Sequence, residues 1–445
     1  MRSLLAGNRH SRRWICLASP FLSVLLVACY LFWPRTLALY EDGRSKAPLN
    51  STHSSPEETK CLLYPGLNDV HVVLKTGVTE AVEKLLVHLD TTLRCVPHFT
   101  IFSDYEEDIA GLHIHDVLKG VDQNILNTHP DFELYTRVRD SGRRALSTWS
   151  IPNDPSTPSG KPNNPGWILD KWKFLPMMHE TLKVRDDARW YVFMEADTYI
   201  SWPNLLAWLA RLNASEPQYL GNQMMIGDVI FAHGGSGFVL SNPALKQVAG
   251  HHSTRVKEWD ELTDHHWAGD CVLGKALQDV GIDLLWSWPM VQGSTPWAVD
   301  YLTSPLGVSP WCYPAVTYHH MSPEAIWEIW AFEQNWYRVN GDSVALHSDV
   351  FQALIQPRFD ESEHDWDNES LDIVEGVGSA ADCEAQCAMD AECLQFSYEP
   401  GMCRTSTTTR RGSRKPGVVS GWMTERISQV VVQLGTCKKA EWVHA

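Results

Sequence analysis

Four changes in the pattern of apolar and polar positions divide this chain. Residues 14–33 (WICLASPFLSVLLVACYLFW) form an uncharged run of 20 residues, enough helix to span a ~30 Å hydrocarbon core at ~1.5 Å per residue. Residues 34–60 are dense in Ser, Thr, Pro and charge and predict a flexible stem. From Cys61 onward the pattern is that of a folded core. Residues 69–77 read as an apolar strand running into Gly77. Residues 79–93 place apolar side chains at 82, 85, 86, 89 and 93, a helix face with Thr79 in the N-cap position, and residues 98–104 form the next strand. This β-α-β opening predicts a parallel sheet. A proline-rich surface loop at 150–166 precedes a helix at 167–182, kinked or broken by Pro176. A buried strand at 191–194 follows, then a short helix at 203–212 with Pro203 at its first position. The helix at 323–339 carries Trp327, Trp330 and Phe332, read as core rather than as a ligand platform. Residues 356–370 are acidic and polar, the character of a linker. Beyond them a helix at 379–389 and an alternating strand at 394–398 lie in a cysteine-dense stretch too small to be stable without disulfides.

The strand at 191–194 ends in Glu195-Ala196-Asp197-Thr198-Tyr199. Side chains at i and i+2 of an extended segment share a side, so Glu195 and Asp197 can both face a ligand at the strand's C-terminal end, where open α/β sheets bind ligands. Two convergent carboxylates with no cysteine or histidine beside them in sequence suit a hard divalent cation such as Mg²⁺ or Mn²⁺ that bridges to phosphates. The plainer alternative is a solvated acidic turn. Gly234-Gly235-Ser236-Gly237 feeds the strand Phe238-Val239-Leu240-Ser241, either a close backbone approach to a ligand or a tight turn. Asp270 opens a helix closed by Gly281, and it could serve only as an N-terminal helix charge. Tyr318-His319-His320 ends a strand. Lys75-Thr76-Gly77 hints at phosphate binding, but one glycine is too few for a P-loop.

The net charge of −17 over 445 residues argues against a nucleic-acid partner, which needs a basic face. Arg2, Arg9, Arg12 and Arg13 precede the apolar run with no acid among them, so the positive-inside rule keeps this end cytosolic and sends the rest across the membrane. A cleaved signal peptide is the alternative, disfavoured by the long run and the poor cleavage site around Phe32-Trp33-Pro34-Arg35. Sequons at Asn50, Asn213 and Asn368 all lie beyond the run. So do Cys61, Cys95, Cys271, Cys312, Cys383, Cys387, Cys393, Cys403 and Cys437, most of which should pair in an oxidising compartment. None has zinc-site spacing, and the pairing of Cys61 with Cys95 rests only on proximity in sequence.

The ordered series of the acid-x-Asp-Thr-Tyr strand end, Gly-Gly-Ser-Gly-Phe-Val-Leu-Ser, Gly-Asp-Cys-Val-Leu-Gly and Tyr-His resembles glycosyltransferase family 31. That group includes the fringe proteins and core 1 β1,3-galactosyltransferases, and the fungal Fringe-like branch is the best match. The resemblance spans about residues 65 to 345. It implies an α/β GT-A nucleotide-sugar-binding fold with a mostly parallel sheet. It implies that Asp197 and His319, with His320 as runner-up, hold Mn²⁺ (or Mg²⁺). Glu195 and the glycines Gly234, Gly235 and Gly237 would lie at the UDP-sugar donor, and Asp270 would be the catalytic base. Cys271 and Cys312 could brace the Asp270 loop. The family's animal members usually show Asp-Asp-Asp where this chain has Glu195-Ala196-Asp197, so the central carboxylate is missing. The Cys383-x₃-Cys387-x₅-Cys393 spacing, Leu-Gln-Phe-Ser-Tyr and Ser420-Gly421-Trp422 resemble a PAN/apple domain, a small α+β module. That implies pairs Cys383–Cys403 and Cys387–Cys393, with Cys437 left over or paired outside the module.

The expected organisation is a cytosolic tail (1–13), a transmembrane anchor (14–33), a stem (34–60), the GT-A domain (61–355), a linker (356–370) and the PAN/apple-like module (371–445). The expected protein is a single-pass type II enzyme of the Golgi membrane with its catalytic domain in the lumen. It would transfer a hexose or N-acetylhexosamine from a UDP-sugar to a glycan or glycoprotein acceptor with inversion, the β1,3 linkage following only from the resemblance. The alternative is a non-catalytic GT-A relic that binds carbohydrate or protein through the C-terminal module.

Overall fold

The computed structural model describes residues 64–147, 163–341, 343–360 and 362–444. The expected anchor and stem lie outside them, and among the described residues no helix is long and apolar enough to cross a membrane. Eight strands make the central sheet: β1 (Val70–Lys75), β2 (Phe99–Ser103), β3 (Glu107–Ile109), β4 (Leu112–Asp116), β5 (Trp190–Glu195), β6 (Tyr219–Gly221), β7 (Phe238–Ser241) and β8 (Leu284–Trp286), in the order β8-β6-β7-β5-β1-β2-β4-β3. β1 pairs in parallel with both β2 and β5, β2 with β4 and β6 with β8; β7 and β3 run antiparallel to their neighbours.

Alternation explains why the sheet is covered on both faces. Tyr191 and Phe193 of β5 join one buried cluster, with Met177, Leu245 and Leu273 from three helices. Trp190, Val192 and Met194 point the other way, into a second cluster with Leu85 and Leu205. A strand apolar on both faces is the expected sign of a largely parallel sheet between helical layers.

The helix after β1 is Ala81–Asp90, with Glu80 rather than Thr79 at its N-cap. The segment predicted as one helix from 167 is broken before Pro176. A 3₁₀ turn spans Leu169–Trp172 and the helix Phe174–Val184 begins afresh, so Pro176 sits in a first turn, where its missing N–H costs nothing. Trp327 is 42% exposed, against the core reading, whereas Trp330 and Phe332 pack on a buried cluster.

The C-terminal sheet consists of β9 (Glu363–Asp367), β10 (Asp372–Val374), β11 (Gln395–Glu399), β12 (Met402–Ser406) and β13 (Ser413–Trp422), in the order β9-β13-β11-β12-β10 and antiparallel throughout. The acidic stretch read as a linker therefore contains a strand, β9, paired along β13. Its alternating polar residues sit at an edge, where charge is favoured. Ser379 caps the helix Ala380–Met389 through a hydrogen bond from the Asp382 N–H. Cys383 pairs with Cys403 and Cys387 with Cys393, as the resemblance implied.

The Cys271–Cys312 pair does not form. Cys312 bonds Cys437, and Cys271 is a buried free thiol. Cys95 is disulfide-bonded, and Cys61 lies outside the described residues. The pairing of Cys312 belongs to a broad contact between the two parts of the fold. Tyr301, Trp311 and Phe351 share one buried cluster with Phe359, Trp422 and Ile427. Trp208 donates its indole N–H to the Val443 carbonyl at 2.8 Å.

Candidate active site

Glu195 is the last residue of β5 and stands opposite Lys75, the last of β1. A tight turn reverses the chain there. The Thr198 N–H donates to the Glu195 carbonyl at 3.0 Å, and the Glu195 N–H donates to the Thr198 hydroxyl at 3.1 Å. The strand that leaves the turn, Tyr199–Ile200, pairs antiparallel with Thr317–Tyr318. That pairing brings His319 and His320 back over Asp197. The Met321 N–H then donates to the Asp197 carbonyl at 2.9 Å and fixes the loop.

His319 Nε2 lies 3.3 Å from Asp197 Oδ1. Lys84 Nζ lies 3.2 Å from Asp197 Oδ2 and 2.8 Å from Glu80. Ligand atoms of Asp197, His319 and His320 all fall within 4.8 Å of one another. Burial opposes charge on Asp197, but His319 and Lys84 outweigh it and hold the carboxyl far below its usual range. Burial likewise opposes charge on His319, and Asp197 reverses that, raising the imidazole. His319 is 5% exposed, and its Nδ1 is buried without a hydrogen-bond partner among the described residues. One carboxylate and two imidazoles, held by protonation and a lysine, are the mixed oxygen and nitrogen donors that a divalent ion takes. The residues present fit such an ion.

Ala196, where the family's animal members carry the central acid, points the other way. It is 1% exposed in the cluster under the sheet, and its carbonyl contacts His88 Nε2 at 2.9 Å. Its side chain faces apolar packing, not the ligand side.

Glu195 does not share the ligand group of Asp197. It is 3.0 Å from Lys75, whose ammonium also bonds Asp170 and lies 4.5 Å from the centre of the Phe174 ring. Lys75 is 5% exposed. Burial works against its charge, and the two carboxylates more than restore it. Burial raises Glu195, which Lys75 only partly offsets. Beneath them the fully buried pair Lys173 and Asp104 stands at 3.1 Å, with Lys173 also donating to the Thr76 carbonyl at 2.8 Å.

The glycine turn joins the two acidic centres. The Gly234 N–H donates to Asp270 Oδ2 at 2.9 Å, and the Cys271 N–H donates to Oδ1 at 2.9 Å. Asp270 stands in the first turn of the helix Gly269–Asp279. Burial nonetheless dominates, pushing its carboxyl up to about 6. A side chain at Gly235 would meet the His319 ring at 2.2 Å, so only glycine admits the imidazole. Gly237 has φ +77°, a conformation suited to glycine. The Thr198 hydroxyl donates to the Gly235 carbonyl at 2.8 Å and the Thr317 hydroxyl to the Ser236 carbonyl at 2.8 Å, pinning the turn to both strands.

The fold thus gathers Asp197, His319 and His320 in one group, and binds the turn Gly234, Gly235, Gly237 to Asp270 on one side and to His319 on the other. Glu195 belongs to a neighbouring ion-pair network. Sequence reasoning missed Lys75, Lys84, Asp104, Asp170 and Lys173. The only signal was the Lys75-Thr76-Gly77 strand end. The Fringe-like family model matches residues 66–290, half of the 445-residue chain, and the PAN domain model matches residues 358–424.

Proposed function

This chain belongs to the Fringe-like family of glycosyltransferases, and on that premise we propose that it transfers a hexose or N-acetylhexosamine from a UDP-sugar to a hydroxyl of a glycan or glycoprotein, with inversion and a β1,3 linkage. The observation that carries the reading is the grouping of Asp197, His319 and His320 beside a glycine turn that also hydrogen-bonds Asp270. Asp197 and His319, with His320, would hold Mn²⁺ or Mg²⁺, which when bound supplies Lewis-acid charge to a leaving diphosphate. Lys75 pairs with Asp170 and Glu195, and Lys173 with Asp170 and Asp104, so two ammonium groups offset much of the charge of these acids beside a bound diphosphate. The bare backbone at Gly234 and Gly235 admits Phe174 and His319 against the turn, which forms a wall of the donor site.

Asp270 takes the proton of the acceptor hydroxyl as that oxygen attacks the anomeric carbon from the face opposite the diphosphate. A carboxyl at about 6 is ionised at neutral pH yet more basic than an ordinary aspartate, which suits a general base. The PAN domain suggests a protein or carbohydrate ligand for the C-terminal region. The non-catalytic alternative rests on Glu195-Ala196 and on the C-terminal module; the core-facing Ala196 argues against the first of these. In the cell the protein would be a type II Golgi membrane enzyme with this site in the lumen.

The test is UDP release from UDP-galactose, UDP-N-acetylglucosamine and UDP-glucose, with Mn²⁺ present or chelated and with simple sugar acceptors. Asp270→Asn should abolish transfer while UDP binding persists, and Asp197→Ala should lose metal-dependent UDP binding. Wild-type transfer by Asp270→Asn would remove it from the mechanism.

A further inference from the structure

A second group of metal-ligand side chains lies at the far edge of the sheet, away from the residues described above. We propose that Glu106, His113 and His115 form a separate divalent-metal site of the zinc class. His113 and His115 are two apart on β4 and so share a face. β3 pairs with β4 in the register Glu107 opposite Ile114. The next step of that register carries Glu106 across to His115. Ligand atoms of the three residues all lie within 4.8 Å of one another.

The surroundings prepare the donors. His113 Nε2 is 2.9 Å from Glu106 Oε1, and its Nδ1 is 3.0 Å from Asp108 Oδ1. A carboxylate on Nδ1 fixes the tautomer that leaves Nε2 as a metal ligand, the usual outer partner of a ligating histidine. The Asp116 N–H and the Lys119 ammonium both donate to Glu106 Oε2, orienting the carboxylate and leaving Oε1 toward the histidine. The His115 ring stands 4.6 Å from that of His113, edge-on, and no described residue hydrogen-bonds its nitrogens. Two imidazoles and one carboxylate with open positions are a zinc-type set. The site is partly exposed, so water would complete the coordination. Binding would tie the start of β3 to β4 at the outer end of the sheet.

Calorimetric titration of the full chain with Zn²⁺ alone tests the assignment, in an Asp197→Ala background that silences the other metal-ligand group. One equivalent should still bind. Adding His115→Ala should abolish it, and Asp108→Ala should weaken it ~10–100-fold. Lys119→Ala should weaken binding, because it removes an ammonium that orients Glu106 through Oε2. Lys119 is exposed and His115 half-buried, and an unchanged urea midpoint for each variant shows that a loss of binding reports on the ligand set rather than on folding. Unchanged Zn²⁺ affinity in the His115→Ala variant, or no binding in the Asp197→Ala background, overturns the proposal.

Discussion

Gly235→Ala is the most exacting test of the donor site, because it adds one methyl group and removes no functional atom. The new carbon would lie 2.2 Å from His319 Cε1 and Nε2. Ordinary contact is ~3.5 Å or more, so something must move by over ~1 Å. The turn cannot easily yield: its carbonyls at 235 and 236 are held by Thr198 and Thr317, and the Gly234 N–H is held by Asp270. The imidazole packs against the rings of His233 and His320 at 5.1 and 3.8 Å, and the backbone N–H of His319 is bonded to the Ser294 carbonyl. The ring therefore leaves Asp197, and metal–ligand distances tolerate only ~0.2 Å. A misplacement of this size costs ~10²-fold in rate, or about 2.7 kcal/mol of barrier. The assay pairs Mn²⁺ titration in the presence of UDP with steady-state transfer. Gly250→Ala is the control: a helical glycine with nothing within 4 Å of the added carbon, expected to gain ~0.4–1 kcal/mol of stability and leave activity alone. If Gly235→Ala bound Mn²⁺ within threefold of wild type and turned over at the wild-type rate, the placement of His319 beside this turn as a metal ligand would be wrong.

Transfer should lose rate as pH falls through about 6, because Asp270 acts as a base only when ionised; a pH–rate profile flat from 5 to 7 would oppose that role. Buried Glu333, 7% exposed and accepting a hydrogen bond from the Tyr199 hydroxyl at 2.8 Å, is raised by burial from 4.5 to about 7. The folded protein therefore holds this proton more tightly than the unfolded chain. The resulting stabilisation is full below about 4.5 and lost as pH rises to about 7, on the order of 3 kcal/mol. Urea unfolding of Glu333→Gln should show this part of the pH dependence gone. Replacing Cys312 and Cys437 with Ser opens a loop of sequence separation 125. Chain entropy sets the loss at about 5 kcal/mol, measurable as a lower denaturation midpoint. Asn368 is fully buried and donates to the Phe396 and Gly421 carbonyls, so Asn368→Gln should change stability without changing glycan mass on a gel. Asn213 is exposed and is the sequon whose loss should shift mobility.

The apolar strand 191–194, the glycine cluster and the helix at Asp270 were legible because each is local: composition over a few residues fixes the element, and the element fixes where its end points. The grouping of Asp197 with His319 is not local. It depends on two-residue strands at 199–200 and 317–318, too short to leave a periodic signal, and only the family resemblance reached it. The burial of the cations Lys75 and Lys173 was illegible for a different reason. A lysine at a strand or helix end reads as a solvent marker, and only the opposing Asp170, Glu195 and Asp104 make its burial tolerable. Cysteine pairing was legible where it was short-range: the six-residue separation of Cys387 and Cys393 is set by one helix and one turn, whereas Cys312 and Cys437 lie 125 residues apart, and only the pairing of Cys437 outside its module was anticipated, not its partner. The acidic stretch at 356–370 misled because an edge strand and a linker share a polar composition.

The Arg411 and Gly412 N–H groups both donate to the Trp297 carbonyl, at 2.8 and 3.0 Å, a few residues from the Ser294 carbonyl that holds His319. Together with the Cys312–Cys437 bond and the Trp208 indole on Val443, this sets an order on biosynthesis. The segments that finish the core leave the ribosome after every residue of the site. A nascent chain that has emitted every residue of the site still lacks its covalent brace and the cover over Trp208. A stop codon just before Cys437 would therefore leave Cys312 without its partner and an open seam, a form that labelling with a thiol reagent detects. Recombination that exchanges the C-terminal region for another binding module meets the same obstacle, because the seam would have to be exchanged with it.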